Sequence, residues 1–189
     1  MRKKSQVRYA EVDLDTPHTR VRVVLDFDGE RNATVETGIG YFDSLLVLFA
    51  QSAEFDLGVS SEGDLMVDDR HTLEDVGACL GKAVRQALGA KGEAPFKGSF
   101  TSPMEDALCM AVVDFSNKGF LHYGLKFSCE RLGGISTECL QGFFSSFTRT
   151  ADITLHLVQM HGHNNHHICE AAFKAFGSAL KQAIDSGQD

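Results

Sequence analysis

Five of the chain's eight histidines fall within twelve residues, in the segment His156-Leu-Val-Gln-Met-His161-Gly-His163-Asn-Asn-His166-His167-Ile-Cys-Glu170. The segment ends in His-His-x-x-Glu at the mouth of an apolar-periodic run. On a helix, His166 and Glu170 are i and i+4 and share a face. An imidazole nitrogen and a carboxylate oxygen placed that way can grip one divalent transition metal. His167 lies about 100° further round and addresses a second metal or a neighbouring subunit. Neutral imidazole with carboxylate suits manganese, iron, cobalt, nickel or zinc, whereas magnesium and calcium prefer oxygen alone. A solvated histidine tract would have the same composition. The helical pattern that follows the tract favours a built site.

The chemistry has to be carried by an ordinary globular scaffold. The chain has 189 residues, 43% hydrophobic and 23% charged, enough for a sizeable core. The formal net charge of -8 predicts no nucleic-acid footprint. A phosphorylated substrate would need local cations against that background. Cys79, Cys109, Cys129, Cys139 and Cys169 show no Cys-x-x-Cys spacing and read as reduced core residues of a cytoplasmic protein. The basic start, Met1-Arg-Lys-Lys, has no apolar run behind it and does not read as a signal peptide. No stretch approaches the 18 or so apolar residues of a membrane span.

The elements that position the histidines come in two similar sets. Phe49-x3-Ala53-Glu54-Phe55-x-Leu57-x-Val59 matches Phe147-x3-Ala151-Asp152-Ile153-x-Leu155-x-Leu157, and His71-Thr-Leu-Glu74 matches His167-Ile-Cys-Glu170. Gly81/Gly177, Ala83/Ala179, Arg85/Lys181, Gln86/Gln182 and Ala87/Ala183 extend the match. Two blocks in the same order at nearly the same offset indicate an internal repeat. We place the half-repeats at 1–92 and 93–189, joined through the segment Gly89 to Pro95, and expect them to form one compact unit related by a pseudo-twofold. Helices are expected over Phe42–Ala53, His71–Leu88, Thr137–Thr150 and His166–Ile184. Strands are expected over Val21–Phe27, Asp56–Ser60, Asp64–Val67, Ala107–Phe115, Phe120–Phe127 and Thr154–Gln159, with turns at Asp28-Gly29 and at Ser116 to Gly119. The class is α+β, with amphipathic helices covering one face of each sheet.

Four blocks resemble one family. They are Thr37-Gly38-Ile39-Gly40-Tyr41-Phe42-Asp43, Asp68-Asp69-Arg70-His71-Thr72-Leu73-Glu74-Asp75, Pro103-Met104-Glu105-Asp106-Ala107-Leu108 and Gly162-His163-Asn164-Asn165-His166-His167-Ile168-Cys169-Glu170. In that order they are similar to the motifs of imidazoleglycerol-phosphate dehydratase, a lyase of histidine biosynthesis that removes water from its substrate. The resemblance covers roughly residues 8 to 184. It implies two homologous halves, each a four-stranded sheet with helices on one face, like the second domain of ribosomal protein S5. It also implies assembly through trimers into a shell of up to 24 subunits. Each active site would then lie between subunits, with manganese or another divalent transition metal acting on an imidazole-containing substrate. The implied ligands retained here are His71, Glu74, His156, His166, His167 and Glu170, with Glu74 and Glu170 also counted among the catalytic groups.

Several positions depart from the family pattern. Ser44 and Arg70 stand where the family has ligand histidines. Serine is a poor ligand and arginine a permanent cation, so reduced metal stoichiometry and weak or absent turnover are expected. Arg70 and Glu74 are i and i+4 and can pair with each other, as a metal substitute or as a simple surface pair. In Thr16-Pro17-His18-Thr19, His18 replaces a glutamate implicated in proton transfer, and histidine can also serve as a base. Phe96 aligns with a phosphate-binding arginine, leaving Lys97 beside it. Lys118 and His163 each replace an arginine, and these three are the candidate phosphate contacts. The family's C-terminal Ser-Ser-Lys-Gly loop has no counterpart before Asp189. His161 is an additional histidine that could substitute as a ligand. Two functional readings follow. One is a divergent dehydratase. The other is an impaired or repurposed paralogue, a one-metal or metal-free binding shell. Whether the family reaction runs separates them.

Overall fold

A computed structural model describes residues 8–63, 69–89, 96–115 and 118–186. Among these residues the first half runs β1 (Tyr9–Asp15), β2 (Thr19–Asp26), β3 (Ala33–Glu36), α1 (Gly40–Ala53), β4 (Asp56–Gly63) and α2 (Arg70–Leu88). The second runs β5 (Lys97–Met104), β6 (Ala107–Asp114), β7 (Phe120–Gly124), β8 (Arg131–Leu132), β9 (Ile135–Ser136), α3 (Thr137–Ala151), β10 (Thr154–His161) and α4 (Asn165–Asp185). Period-two alternation sets the strands. Val21, Val23 and Leu25 of β2 point inward, as do Cys109, Ala111 and Val113 of β6 and Leu155 and Leu157 of β10. The four buried cysteines and half-buried Cys129 are all free thiols.

The sheet orders are β1-β2-β4-β3 and β5-β6-β10-β7. In both, the third and fourth strands are parallel and the other pairs antiparallel. Register shows the correspondence residue by residue. Asp26 lies opposite Asp56 in the first sheet, and Asp114 lies opposite Thr154 in the second. The β8–β9 hairpin, between β7 and α3, has no strand counterpart between β3 and α1. The periodicity argument left β1, β3, β5 and the two-residue strands β8 and β9 unassigned. β1 alternates Ala10, Val12 and Leu14 against charged neighbours, β3 is only four residues, and β5 is an edge strand carrying Pro103. β7 stops at Gly124 rather than Phe127. The strand expected at Asp64–Val67 and the half-repeat boundary at 92 lie outside the described residues.

The helices of each half pack on those of the other. α2 covers the first sheet and lies against α3, whereas α4 covers the second sheet and lies against α1. Glycine permits both crossings. A Cβ at Gly81 of α2 would stand 2.5 Å from the Phe147 carbonyl oxygen and 3.1 Å from the Ala151 nitrogen. A Cβ at Gly177 of α4 would collide with the Phe49 carbonyl and stand 3.1 Å from the Ala53 nitrogen. Phe49 stacks on Phe176 at 4.8 Å and meets Phe147 edge-on, and Phe143 stacks on Phe173, so one aromatic core links the halves. Both α1 and α3 end in a left-handed residue, Glu54 and Asp152, each in an ion pair with an arginine, Arg31 and Arg85 respectively.

The outer faces differ. The first sheet presents Glu11, Asp13, Arg20 and Arg22, whereas the second presents Leu108, Met110, Val112 and Val158. Gly177→Ala is expected to destabilise the fold by about 1–3 kcal/mol through overpacking. Gly40→Ala, with nothing within 4 Å of the added methyl, should be near neutral. Thermal melts of the two variants check this, and equal melting temperatures would contradict the packing described.

Candidate metal-binding and active site

The donor-bearing helix α4 begins in a tightly bonded loop. Asn164 is its N-cap, and its side-chain oxygen accepts from the backbone N–H of His166 at 2.9 Å and of His167 at 3.4 Å. His166 and Glu170 therefore start a regular helix one turn apart. His166 meets the Tyr41 ring of α1 edge-on at 4.9 Å. Desolvation pushes the Tyr41 phenol well above its ordinary pKa, as burial does for Cys169. The loop rests against the β5–β6 turn, where Asp106 accepts from the backbone N–H of His163 at 2.8 Å and of Asn164 at 3.2 Å. The second oxygen of Asp106 lies 2.6 Å from His167 Nδ1. The N–H of His163, then the His167 ring and the N–H of Asn164, hold the Asp106 carboxyl well below the usual carboxylate range. His161 Nδ1 lies 3.0 Å from the Asp106 backbone oxygen. Gly162, at φ 123°, passes so close to the turn that a Cβ would stand 2.8 Å from Ala107.

The N-terminus of α2 is built differently. Asp75 accepts from Thr16 Oγ1 at 3.0 Å and from the Thr19 hydroxyl, which fastens the β1–β2 turn to the helix. His18, in that turn, stacks on His71 at 4.3 Å with 8° between the ring planes. Arg70 Nε stands 3.8 Å from Glu74 Oε1, the pairing that their spacing suggested, with both side chains substantially exposed. Glu74 lies against α3 where Gly142 leaves room, since a Cβ there would be 2.9 Å from Glu74 Oε1. Asp69, buried just before α2, accepts from Arg131 at 3.1 Å and from the Ser136 N–H at 2.7 Å, anchoring the β8–β9 hairpin. The Ser44 hydroxyl donates to the Gly40 carbonyl of its own helix at 3.0 Å and is exposed.

The two turns are equivalent. Counting back eight residues from Asp26 along β2 reaches His18, and the same count from Asp114 along β6 reaches Asp106. His71 and His167 occupy matching places on α2 and α4. One position thus carries an imidazole over a ligand-type histidine in the first half and a carboxylate bonded to one in the second.

A third group lies on the outer face of the second sheet. His156 faces away from α4, opposite His122 on the parallel strand, with ring centroids 5.4 Å apart. Phe120 lies alongside at 5.8 Å. Lys97 is at this end of the sheet, 3.5 Å from Asp114, and the Lys118 backbone oxygen accepts from Thr154. Lys97 and Lys118 therefore lie at the end of the sheet where β10 begins, two residues before His156 in register, whereas His163 belongs with the α4 loop. Among the described residues, no three of His, Cys, Asp or Glu in one chain are close enough together to hold a metal ion. The six retained donors fall into three separate groups. Asp106 and His122 were missed as site residues. Asp106 lay inside the Pro103–Leu108 block without a role, and the opposition of His122 to His156 depends on strand pairing.

The comparisons with known proteins agree with this architecture. The sequence profile described as Imidazoleglycerol-phosphate dehydratase matches residues 37–180. An imidazoleglycerol-phosphate dehydratase of Acidiphilium cryptum is 43% identical over 94% of this chain and 91% of its own length. One from Caldanaerobacter subterraneus is 44% identical over 94% and 92%. The crystal structure of the Staphylococcus aureus enzyme superposes with a TM-score of 0.79 at 28% identity, over 92% of this chain and 98% of that one. A Pyrococcus furiosus structure gives 0.79 at 29% identity, over 91% and 92%. The match runs through both halves and every donor-bearing block. The chain belongs to the imidazoleglycerol-phosphate dehydratase family.

Proposed function

We propose that the chain is a metal-dependent hydro-lyase that removes water from imidazoleglycerol phosphate in histidine biosynthesis, working as a homo-oligomer in the cytoplasm. The observation that carries this reading is likeness above 40% identity across more than nine-tenths of the chain. No described helix is long and apolar enough to cross a membrane.

The donor chemistry fits a divalent transition metal best at α4. His166 and Glu170 offer an imidazole and a carboxylate one helical turn apart, His167 offers an imidazole on another face of the same helix end, and the donors that would complete each site, such as His156 and His71, would come from other copies. When bound, manganese or a related ion would supply positive charge that stabilises an anionic substrate ring. The reaction breaks a C–H bond and a C–OH bond, and the hydroxyl leaves with a proton as water. His18, exposed and stacked on His71, is placed to take or return a proton. Glu74 and Glu170, near the starts of α2 and α4, are the carboxylates proposed to share in that proton transfer. Lys97, Lys118 and His163 are the cations proposed for the phosphate, although the Lys97 charge is partly offset by Asp114.

Because one chain leaves its donors in three groups, a complete site needs residues from other copies. Trimers built into a shell of up to 24 subunits would bring the outer-face group of one chain to the helix ends of another. The apolar outer face of the second sheet suits such a contact better than the charged face of the first. Multi-angle light scattering is expected to give a multiple of three chains, and a stable monomer at micromolar concentration would contradict it.

At the α2 end, Arg70 sits in a ligand position and the Ser44 hydroxyl is turned to its own helix. A unit charge about 4 Å from a divalent ion costs roughly 2 kcal/mol in water-like surroundings and roughly 8 at an effective dielectric near 20. Elemental analysis after dialysis against manganese is expected to find at most one tightly held ion per subunit. Ser44→His with Arg70→His should raise that number towards two. Two ions in the unaltered protein would show that Arg70 turns away from the site.

The function itself is tested in a histidine auxotroph lacking its dehydratase. Expression of the chain is expected to restore growth, and the purified protein should turn over imidazoleglycerol phosphate when manganese is supplied. Soluble, metal-loaded protein that does neither would overturn the proposal in favour of a paralogue with another ligand.

A further inference from the structure

We propose that Asp106 is a positioning residue for metal binding. Its carboxylate holds His167 in the Nδ1–H tautomer and in one orientation, so that Nε2 is the nitrogen offered to the ion. The inference rests on the reading of His167 as a ligand.

Three bonds define the arrangement. One oxygen of Asp106 accepts from consecutive backbone N–H groups, His163 at 2.8 Å and Asn164 at 3.2 Å. That fixes the carboxylate relative to the start of α4. The other oxygen lies 2.6 Å from His167 Nδ1. An ionised carboxylate only accepts hydrogen bonds, so the proton of this contact belongs to the ring nitrogen. A neutral imidazole protonated at Nδ1 has its lone pair at Nε2, the form a metal requires. The same bond limits rotation of the ring and raises the basicity of its free nitrogen. The Asn164 cap reaches the N–H of His167 itself, so backbone and ring are held from the same loop.

The first half shows that this device is particular to α4. At the equivalent turn position the chain has His18, which stacks on His71 and supplies no carboxylate. The repeat thus orders one ligand-type histidine by a charge-assisted hydrogen bond and the other by ring contact. Asp106 makes α4 the tighter of the two helix ends.

The test separates positioning from support of the loop. In Asp106→Asn, the amide oxygen can still accept from the His163 and Asn164 N–H groups, while the amide NH2 faces His167 Nδ1 and can only donate. The ring is then driven to the Nε2–H tautomer, which blocks ligation. Histidine-labelled protein without metal is read by solid-state 15N spectra, and zinc and manganese affinities are measured by titration with each metal alone. Nδ1–H is expected at His167 in the unaltered protein and Nε2–H in Asp106→Asn. Metal affinity should drop about 10- to 100-fold, the range seen when a carboxylate behind a ligand histidine is removed. The metal-free melting temperature should change little. Asn164→Ala, which removes the cap, should lower that temperature and leave the tautomer unchanged. An Nε2–H ring at His167 in the unaltered protein, or an unchanged tautomer and affinity in Asp106→Asn, overturns the inference. The wild-type spectrum decides it even if Asp106→Asn fails to fold. If the unaltered protein binds neither metal but shows the Nδ1–H ring, the ligand reading fails separately.

Discussion

The close crossing of α2 on α3 and of α4 on α1 is the constraint on which the rest of the structure depends. A helix can approach another helix's backbone this closely only where it carries no side chain, and Gly81 and Gly177 supply that at matching positions. The crossing exchanges partners between the halves, since each sheet's long helix finds its neighbour in the other half. Phe49 of the first half packs on Phe147 and Phe176 of the second, which meet each other, so the halves share one aromatic core. The aromatic core fixes where α2 and α4 end, and so where their first turns, with His71, Glu74, His166, His167 and Glu170, come to the surface.

On this symmetric frame the chemistry is not symmetric. Both β-turns that flank the long helices are tied down by a carboxylate, but from opposite sides. Asp75 reaches from α2 to Thr16 and Thr19 of the turn, whereas Asp106 reaches from the turn to the α4 loop. The first arrangement orders a turn and leaves His18 to stack on His71. The second orders a helix start and a ligand-type histidine together. Arg70 adds to the difference by placing a cation beside Glu74. A repeated fold thus carries two helix ends that are built differently.

Much of this was legible in the chain. The repeat could be read because the helix-bearing blocks keep their spacing, and His166, His167 and Glu170 could be read because helical periodicity alone puts them on one turn. The four helices were placed nearly to the residue. Strands whose signal is weak were not. β3 is too short for alternation to register, and the edge strand β5 has only one side to pair and tolerates Pro103. The equivalence of His18 and Asp106 was invisible because the β8–β9 hairpin separates β7 from α3 and changes the offset between halves. Only strand register restores it. His122 is a similar case, since its place beside His156 is made by parallel pairing across a long connection.

The separation of the donors has its own physical logic. β10 alternates, so His156 must face away from the core if Leu155 and Leu157 are to face into it, while α4 packs on the inner face of the same sheet. No side-chain rotation can bring His156 round to His166 of its own chain. A single subunit is therefore barred by the two-residue period of a strand from closing a site around all its donors. The partly apolar outer face that carries His156, with Leu108, Met110, Val112 and Val158 around it, is the surface on which another copy would have to lie. If it does, assembly and metal binding are one event, since the contact that hides those side chains from water also brings His156 to the end of a long helix in another subunit.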